Sequence, residues 1–206
     1  MRNSASLACK RVFDIVASFL ALVLLAPLFL IVAVAIKKDG GPAFYSHRRV
    51  GRDGAMFSCL KFRSMYEDSE KRLETLLAHN TEAKTEWEEH YKLKNDPRIT
   101  RLGHFLRESS IDELPQLLNV LKGDMSLVGP RPIILKELEK YGEAKGTYLS
   151  VRPGLTGLWQ VSGRNDLDYE TRVALDVEYV ESYSFRTDLI ILMKTIRVVL
   201  EGRGAY

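Results

Sequence analysis

Residues 15–36 read IVASFLALVLLAPLFLIVAVAI, a run from Ile15 to Ile36 that carries no charge. A bilayer core of about 30 Å takes roughly 20 helical residues at 1.5 Å each, so the run is long enough to be a membrane segment. Ala33-Val34-Ala35 has the small-x-small form of a signal cleavage site, but signal h-regions span only about 7–15 residues. Pro27 sits mid-run, where it removes a backbone donor and crowds the carbonyl of Val23. Cations flank both ends: Lys10 and Arg11 before, then Lys37, Lys38, Arg48, Arg49 and Arg52 after. Basic flanks favour the cytoplasmic side, and here both ends ask for it. A helix that enters, breaks at Pro27 and returns satisfies both; a straight span is the alternative.

The rest of the chain is globular in composition. With 46% hydrophobic residues in 206 it is neither disordered nor fibrous. Cys9 and Cys59 form no disulfide scaffold or metal spacing, which fits a reducing, cytosol-facing setting. Eight acids against three bases between Tyr66 and Tyr91 leave the remainder at +8 out of a total of +3. A basic remainder suits anionic lipid or phosphorylated small molecules. Nucleic acid is not expected as a partner, because no helix-turn-helix, zinc-finger or RNA-binding signature occurs.

Asp53-Gly54 is a hairpin signal between candidate strands Ala43–Val50 and Met56–Met65. Tyr66 to Lys94 predicts one or two solvated helices, ended by Asn95-Asp96-Pro97. Gly103 to Leu121 is helical in pattern but interrupted near Ser109-Ser110 and Pro115. Gly123 to Pro132 and Arg152 to Asn165 read as loops, with a helix over Ile133–Lys145 between them. Tyr169 to Leu200 predicts two helices divided near Ser182–Arg186. The last of them is either a core helix or one lying in a membrane interface.

The chemistry-bearing stretch is Arg107-Glu-Ser-Ser-Ile-Asp-Glu-Leu-Pro-Gln116. Ser110 and Glu113 fit a capping box, a purely local use of the glutamate. Asp112 and Glu113 also suit Mg²⁺, which takes oxygen ligands and arrives with phosphates, and one carboxylate could attack phosphorus itself. Lys61, Arg63, Arg107, Arg131, Arg152 and Arg164, with Asn165, gather bases beside turns, as a site for several oxyanions requires. Trp159 and Tyr169 are candidates to stack on a base. No Walker loop or G-x-G-x-x-G occurs.

The chain resembles the bacterial sugar transferases that start glycan assembly on a polyprenyl phosphate. The motifs are Lys10-Arg-Val-Phe-Asp14, Pro27, Lys61-Phe-Arg-Ser-Met65, Asn95-Asp-Pro-Arg-Ile-Thr-Arg-Leu-Gly103 and Asp112-Glu-Leu-Pro-Gln-Leu-Leu-Asn119. They continue in Gly123-Asp-Met-Ser-Leu-Val-Gly-Pro-Arg-Pro132, Arg152-Pro-Gly-Leu-Thr-Gly-Leu-Trp-Gln160 and Ser162-Gly-Arg-Asn165. The acidic segment near Tyr66–Lys94 matches least.

The resemblance implies an α+β, mostly helical fold. Residues 1–38 would be a re-entrant membrane anchor, its break at Ala26-Pro27 resting on Pro27 because Ala replaces the family's Ser. Residues 39–206 would form one compact catalytic domain on the cytoplasmic face of the bacterial inner membrane, with a small β-hairpin and amphipathic interfacial helices. Relatives carry further spans and a further domain, so this would be a minimal catalytic form.

The implied reaction moves a sugar 1-phosphate from a UDP-sugar to undecaprenyl phosphate, with Mg²⁺ and release of UMP, to begin polysaccharide or O-antigen synthesis. Asp112 would be the nucleophile, forming a covalent phosphosugar, and Glu113 would hold metal or orient Asp112. The C-terminal Gly202-Arg-Gly-Ala-Tyr206 and Gly157-Leu-Trp-Gln160 lean toward galactose or glucose over N-acetylated sugars. Homodimerisation stays open. A non-catalytic membrane scaffold, or a lipid phosphatase or kinase, are the competing readings.

Overall fold

The computed structural model of the chain describes residues 4–90, 93, 96–163 and 167–201. Helix α1 (Ser4–Lys37) runs uninterrupted, with Pro27 inside it. The break expected at Pro27 therefore does not divide the helix. The proline costs one rung of the hydrogen-bond ladder, and packing on both sides of it carries the helix across. Leu25 packs on one core cluster, and Leu28 and Phe29 pack on another.

Both ends of α1 nonetheless return to the same body. Lys10 Nζ donates to the Val128 carbonyl at 3.0 Å and to Asp188 Oδ2 at 2.6 Å. Arg11 caps Val120 and Leu121 carbonyls at 2.7 and 3.0 Å. At the far end Arg63 donates to the Ile36 carbonyl at 3.2 Å. The flanking Lys10 and Arg11, read from sequence as topology signals, are thus spent on internal bonds. Phe13, Ala17, Ala21, Leu25, Leu28, Val32 and Ile36 form the inward stripe, at helical spacing. The outer face is equally apolar and open, with Leu24 79% exposed and Phe19, Leu20, Val23, Leu30 and Ile31 beside it. A helix apolar all round but covered on one side only is a membrane-associating element.

Strands β1 (Phe44–Val50) and β2 (Met56–Phe62) pair antiparallel from Val50↔Met56 to Phe44↔Phe62. The expected turn closes them, with Asp53 and Gly54 in the left-handed region at φ 56° and 80°. The acidic segment folds as α2 (Ser69–His79) and α3 (Thr81–His90), parted at Asn80, whose side chain accepts the Ala83 N–H at 2.9 Å. No residue of α2 is buried. Helices α4 (Arg101–Glu108) and α5 (Gln116–Lys122) flank the expected interruption.

Two segments read as loops hold regular structure. Strands β3 (Ser126–Val128) and β4 (Gly154–Thr156) pair in parallel, and α8 (Leu158–Ser162) follows β4. Strands of three residues are too short to show an alternating pattern. The helix expected over Ile133–Lys145 is instead α6 (Leu135–Leu138), a 3₁₀ stretch bent at Gly142 (φ 50°), and the start of α7 (Lys145–Leu149). The last two helices, α9 (Tyr169–Glu181) and α10 (Phe185–Glu201), divide where expected. Helix α10 is core on one face, through Ile191, and open on the other, where Met193 is 72% exposed.

The main core gathers Phe57 and Cys59 of β2, Leu117 and Val120 of α5, Leu127 and Val128 of β3, Tyr179 and Ile191.

Candidate active site

Helix α4 ends at Ser109, and Ser110 turns the chain through left-handed backbone (φ 55°). A single 3₁₀ turn, Ile111–Glu113, follows before Pro115 opens α5. Left-handed backbone in a residue with a Cβ costs about 1–2 kcal/mol, so surrounding packing holds it. That packing is partly α1: Ile111 rests on the cluster of Leu28, Phe29, Val32, Phe62 and Leu106. The capping box read from Ser110 and Glu113 does not form, for Ser110 makes no side-chain cap bond. Glu113 Oε1 instead accepts from Lys61 Nζ at 2.6 Å, and Asp112 Oδ2 lies 3.7 Å from the same ammonium.

Asp112 is 6% exposed. Burial pushes its carboxyl up to about 6, and Glu113 adds to this, while Lys61 and Arg107 pull against it. At neutral pH the group is ionised but poorly solvated, the state of a carboxylate ready to attack. Burial alone would lower Lys61, yet Glu113 and Asp112 outweigh it and hold the ammonium above its ordinary value. Arg107 Nε donates to Ser64 Oγ at 2.9 Å. Gly103 permits this, because a Cβ there would sit 1.9 Å from the Ser64 carbonyl oxygen. Asp96, bonded to Arg98 at 2.7–3.1 Å, supports the Arg107 charge from behind.

On the other side of Lys61 lies a basic wall. Tyr45, His47 and Arg49 pair with Lys61, Cys59 and Phe57, so they share one face of the hairpin. Burial, then Arg49 and Lys61, keep the His47 imidazole below its ordinary value, hence neutral. Arg131 lies close enough to Lys61 to oppose its charge, and its guanidinium sits 5.1 Å from the Trp159 ring centre. Arg172 sits 4.5 Å from the same ring. Trp159 is only 2% exposed, so it is a platform for two guanidiniums and not a surface for a base. The loop carrying Arg131 is fastened by Tyr148, whose hydroxyl donates to the Arg131 carbonyl at 3.0 Å. It is fastened again by Gly154 N–H on the Pro130 carbonyl at 2.7 Å.

A buried carboxylate clasped by a lysine, beside an arginine wall and an apolar helix, joins one carboxylate to several cations able to bind phosphate next to a membrane-associating element. The family model described as bacterial sugar transferase matches residues 5–202. The chain belongs to the bacterial sugar transferase family. It is 56% identical over 197 residues to the undecaprenyl-phosphate galactose phosphotransferase of Salmonella typhimurium, covering 96% of this chain and 41% of that one. To the UDP-galactose-lipid carrier transferase of Erwinia amylovora it is 55% identical, with 96% and 41% covered. The exopolysaccharide production protein ExoY of Rhizobium meliloti is 52% identical, with 96% and 88% covered. The chain spans about two fifths of the length of the first two relatives.

In this member of the family, not every base singled out from sequence lies at the dyad. Lys61, Arg107 and Arg131 do, by the contacts above. Arg63 is turned away, onto the Ile36 carbonyl and Asp39 at the end of α1. Arg152 donates to the Gly123 carbonyl at 2.7 Å, beside Arg11 at the end of α5, and faces Arg52 and Arg11, not Asp112. Arg164 and Asn165 lie outside the described residues. Sequence reasoning missed His47, Arg49 and Arg172. The alternation of the hairpin opposite Lys61 would have found the first two; nothing in the sequence marked Arg172.

For Mg²⁺ the fit is partial and of the right kind. Among the described residues no three His, Cys, Asp or Glu gather as a metal site. Asp112 and Glu113 alone offer adjacent carboxylate oxygens, and Mg²⁺ characteristically binds one or two carboxylates plus substrate phosphates.

Proposed function

We propose that the chain moves a hexose 1-phosphate, galactose or glucose, from a UDP-sugar to undecaprenyl phosphate and releases UMP through a covalent intermediate on Asp112. One observation carries this reading: the turn bearing a buried, lysine-clasped Asp112 packs directly on the apolar helix α1. A lipid phosphate enters only as far as the headgroup layer, so the nucleophile must lie beside the element that meets lipid. The names of the Salmonella and Erwinia relatives supply the acceptor and donor classes, and that of ExoY supplies polysaccharide production.

The residues divide the work. An Asp112 oxygen attacks the phosphorus of the sugar phosphate. Its bond to the bridging oxygen breaks, and UMP leaves with that electron pair. An oxygen of the lipid phosphate then attacks the same phosphorus and returns the carboxylate to Asp112. Lys61 holds Asp112 ionised and balances charge on the attacked phosphate, and Glu113 fixes Lys61. Arg107 adds positive charge near the carboxylate. Mg²⁺, held by Asp112 and Glu113, would neutralise phosphate charge. The catalytic domain faces the cytoplasm of the bacterial inner membrane, where both ends of α1 return to it.

The test uses the full chain in lipid nanodiscs with undecaprenyl phosphate and a panel of UDP-sugars, scored by UMP release. Asp112→Asn should cut the rate by about a thousandfold or more, as loss of a nucleophile does elsewhere. With labelled donor and no acceptor, the native protein should retain label on Asp112. Turnover of the variant near the native rate removes Asp112 as nucleophile.

A further inference from the structure

The Trp159 platform holds two guanidiniums from distant parts of the chain, Arg131 after β3 and Arg172 on α9. Among the described residues neither makes an ion pair. The nearby acids are Glu137 and Asp176, and Asp176 Oδ1 is itself buried without a hydrogen-bond partner among the described residues. Glu137 accepts the Ile134 N–H at 3.1 Å and faces Arg49 at 3.6 Å, and Asp176 Oδ2 takes the Tyr141 hydroxyl at 2.7 Å. Arg172 Nε and Trp159 Nε1 are buried N–H groups with no acceptor among the described residues.

Buried donors without acceptors are costly, and two like charges on one ring add repulsion. Burial first, and Arg131 next, hold the Arg172 guanidinium below its ordinary value. An anion reaching both guanidiniums offsets their repulsion and can accept the Arg172 Nε–H. Stacking on the indole fixes the plane of each fork in advance, which suits bidentate contact with phosphate oxygens.

Position decides which phosphate. Lys61 is clasped to Asp112 and Glu113, so it serves the phosphorus under attack. In phosphoryl transfer the leaving oxygen departs in line with the incoming one, on the side away from the nucleophile. The cations beyond Lys61 are Arg49, which faces Glu137, and Arg131, with Arg172 on the same indole as Arg131.

We propose that Arg172, paired with Arg131 on the Trp159 ring, binds the phosphate that leaves with the nucleoside. This rests on the donor reading above and assigns its second phosphate. Arg172 is then a determinant of donor and nucleotide affinity and has no part in accepting the lipid.

Two measurements on the full chain in nanodiscs test it. In steady state with UDP-galactose and undecaprenyl phosphate, Arg172→Gln should lower kcat/KM for the donor by about tenfold or more, the scale of a lost charged hydrogen bond. The kcat/KM for undecaprenyl phosphate should stay unchanged, because the second half-reaction follows nucleotide departure. Arg172→Lys, which keeps the charge but not the flat stack, should fall between. Calorimetric titration with UMP alone, which needs no turnover, should show binding weakened by a similar factor in Arg172→Gln. Equal losses for both substrates would make Arg172 a structural residue and overturn the proposal, as would unchanged UMP binding. Neither result touches Asp112, whose own variant decides the covalent mechanism separately.

Discussion

The two halves of α1 are held in different ways. Before Pro27 the inward face carries polar groups with directional bonds. Asp14 accepts from Ser126 Oγ at 2.8 Å and from the Leu127 N–H at 3.1 Å, and Lys10 and Arg11 donate to backbone carbonyls. After Pro27 the inward face is apolar, with Leu28, Phe29, Val32 and Ile36 packed on Phe62, Leu106 and Ile111. Directional bonds fix the register of a helix that is apolar all round and would otherwise slide or rotate at little cost. Apolar contact, placed next to the dyad, sets the seat of the turn that carries Asp112. The first half locates the helix and the second seats the Asp112 turn.

Breaking the first half should cost most. Asp14→Ala leaves a buried hydroxyl and a buried N–H without an acceptor, and we expect a loss of about 3 kcal/mol in unfolding free energy in detergent. Retained stability would mean that the polar contacts do not fix the helix. Val32→Ala removes buried methyl groups in the second half, an expected loss of about 2 kcal/mol. It should also lower kcat more than Asp14→Ala does at a temperature where both are folded, since Val32 lies in the cluster under Ile111. A larger kcat effect from Asp14→Ala would reverse the division of labour. Leu24→Ser on the open face should change stability by less than about 0.5 kcal/mol, and its effect should appear as weaker retention on vesicles in a flotation assay.

Much of this was legible in the sequence because its signals were local. The uncharged run from Ile15, the Asp53-Gly54 turn, and the interruption at Ser109-Ser110 and Pro115 each leave a mark within a few residues. The misreadings share a cause. Ser110 with Glu113 has the spacing of a cap but a partner in Lys61, far away in sequence. The β3–β4 pair is built where Gly129 and Gly154 approach so closely that a Cβ on Gly154 would lie 2.1 Å from the Gly129 nitrogen. Spacing gives no hint of that crossing. Arg63 and Arg152 show the limit for composition. A base beside a turn can serve a helix end as readily as a ligand, and only the fold says which.

Because Ile111 sits on α1 without an intervening linker, the depth of Asp112 is set by the same rigid element that meets the bilayer. The Asp112 carboxylate cannot bob toward or away from α1 as a tethered domain would. Variation in acyl-chain length would then change how the membrane fits around the protein, and leave unaltered the height of Asp112 relative to α1.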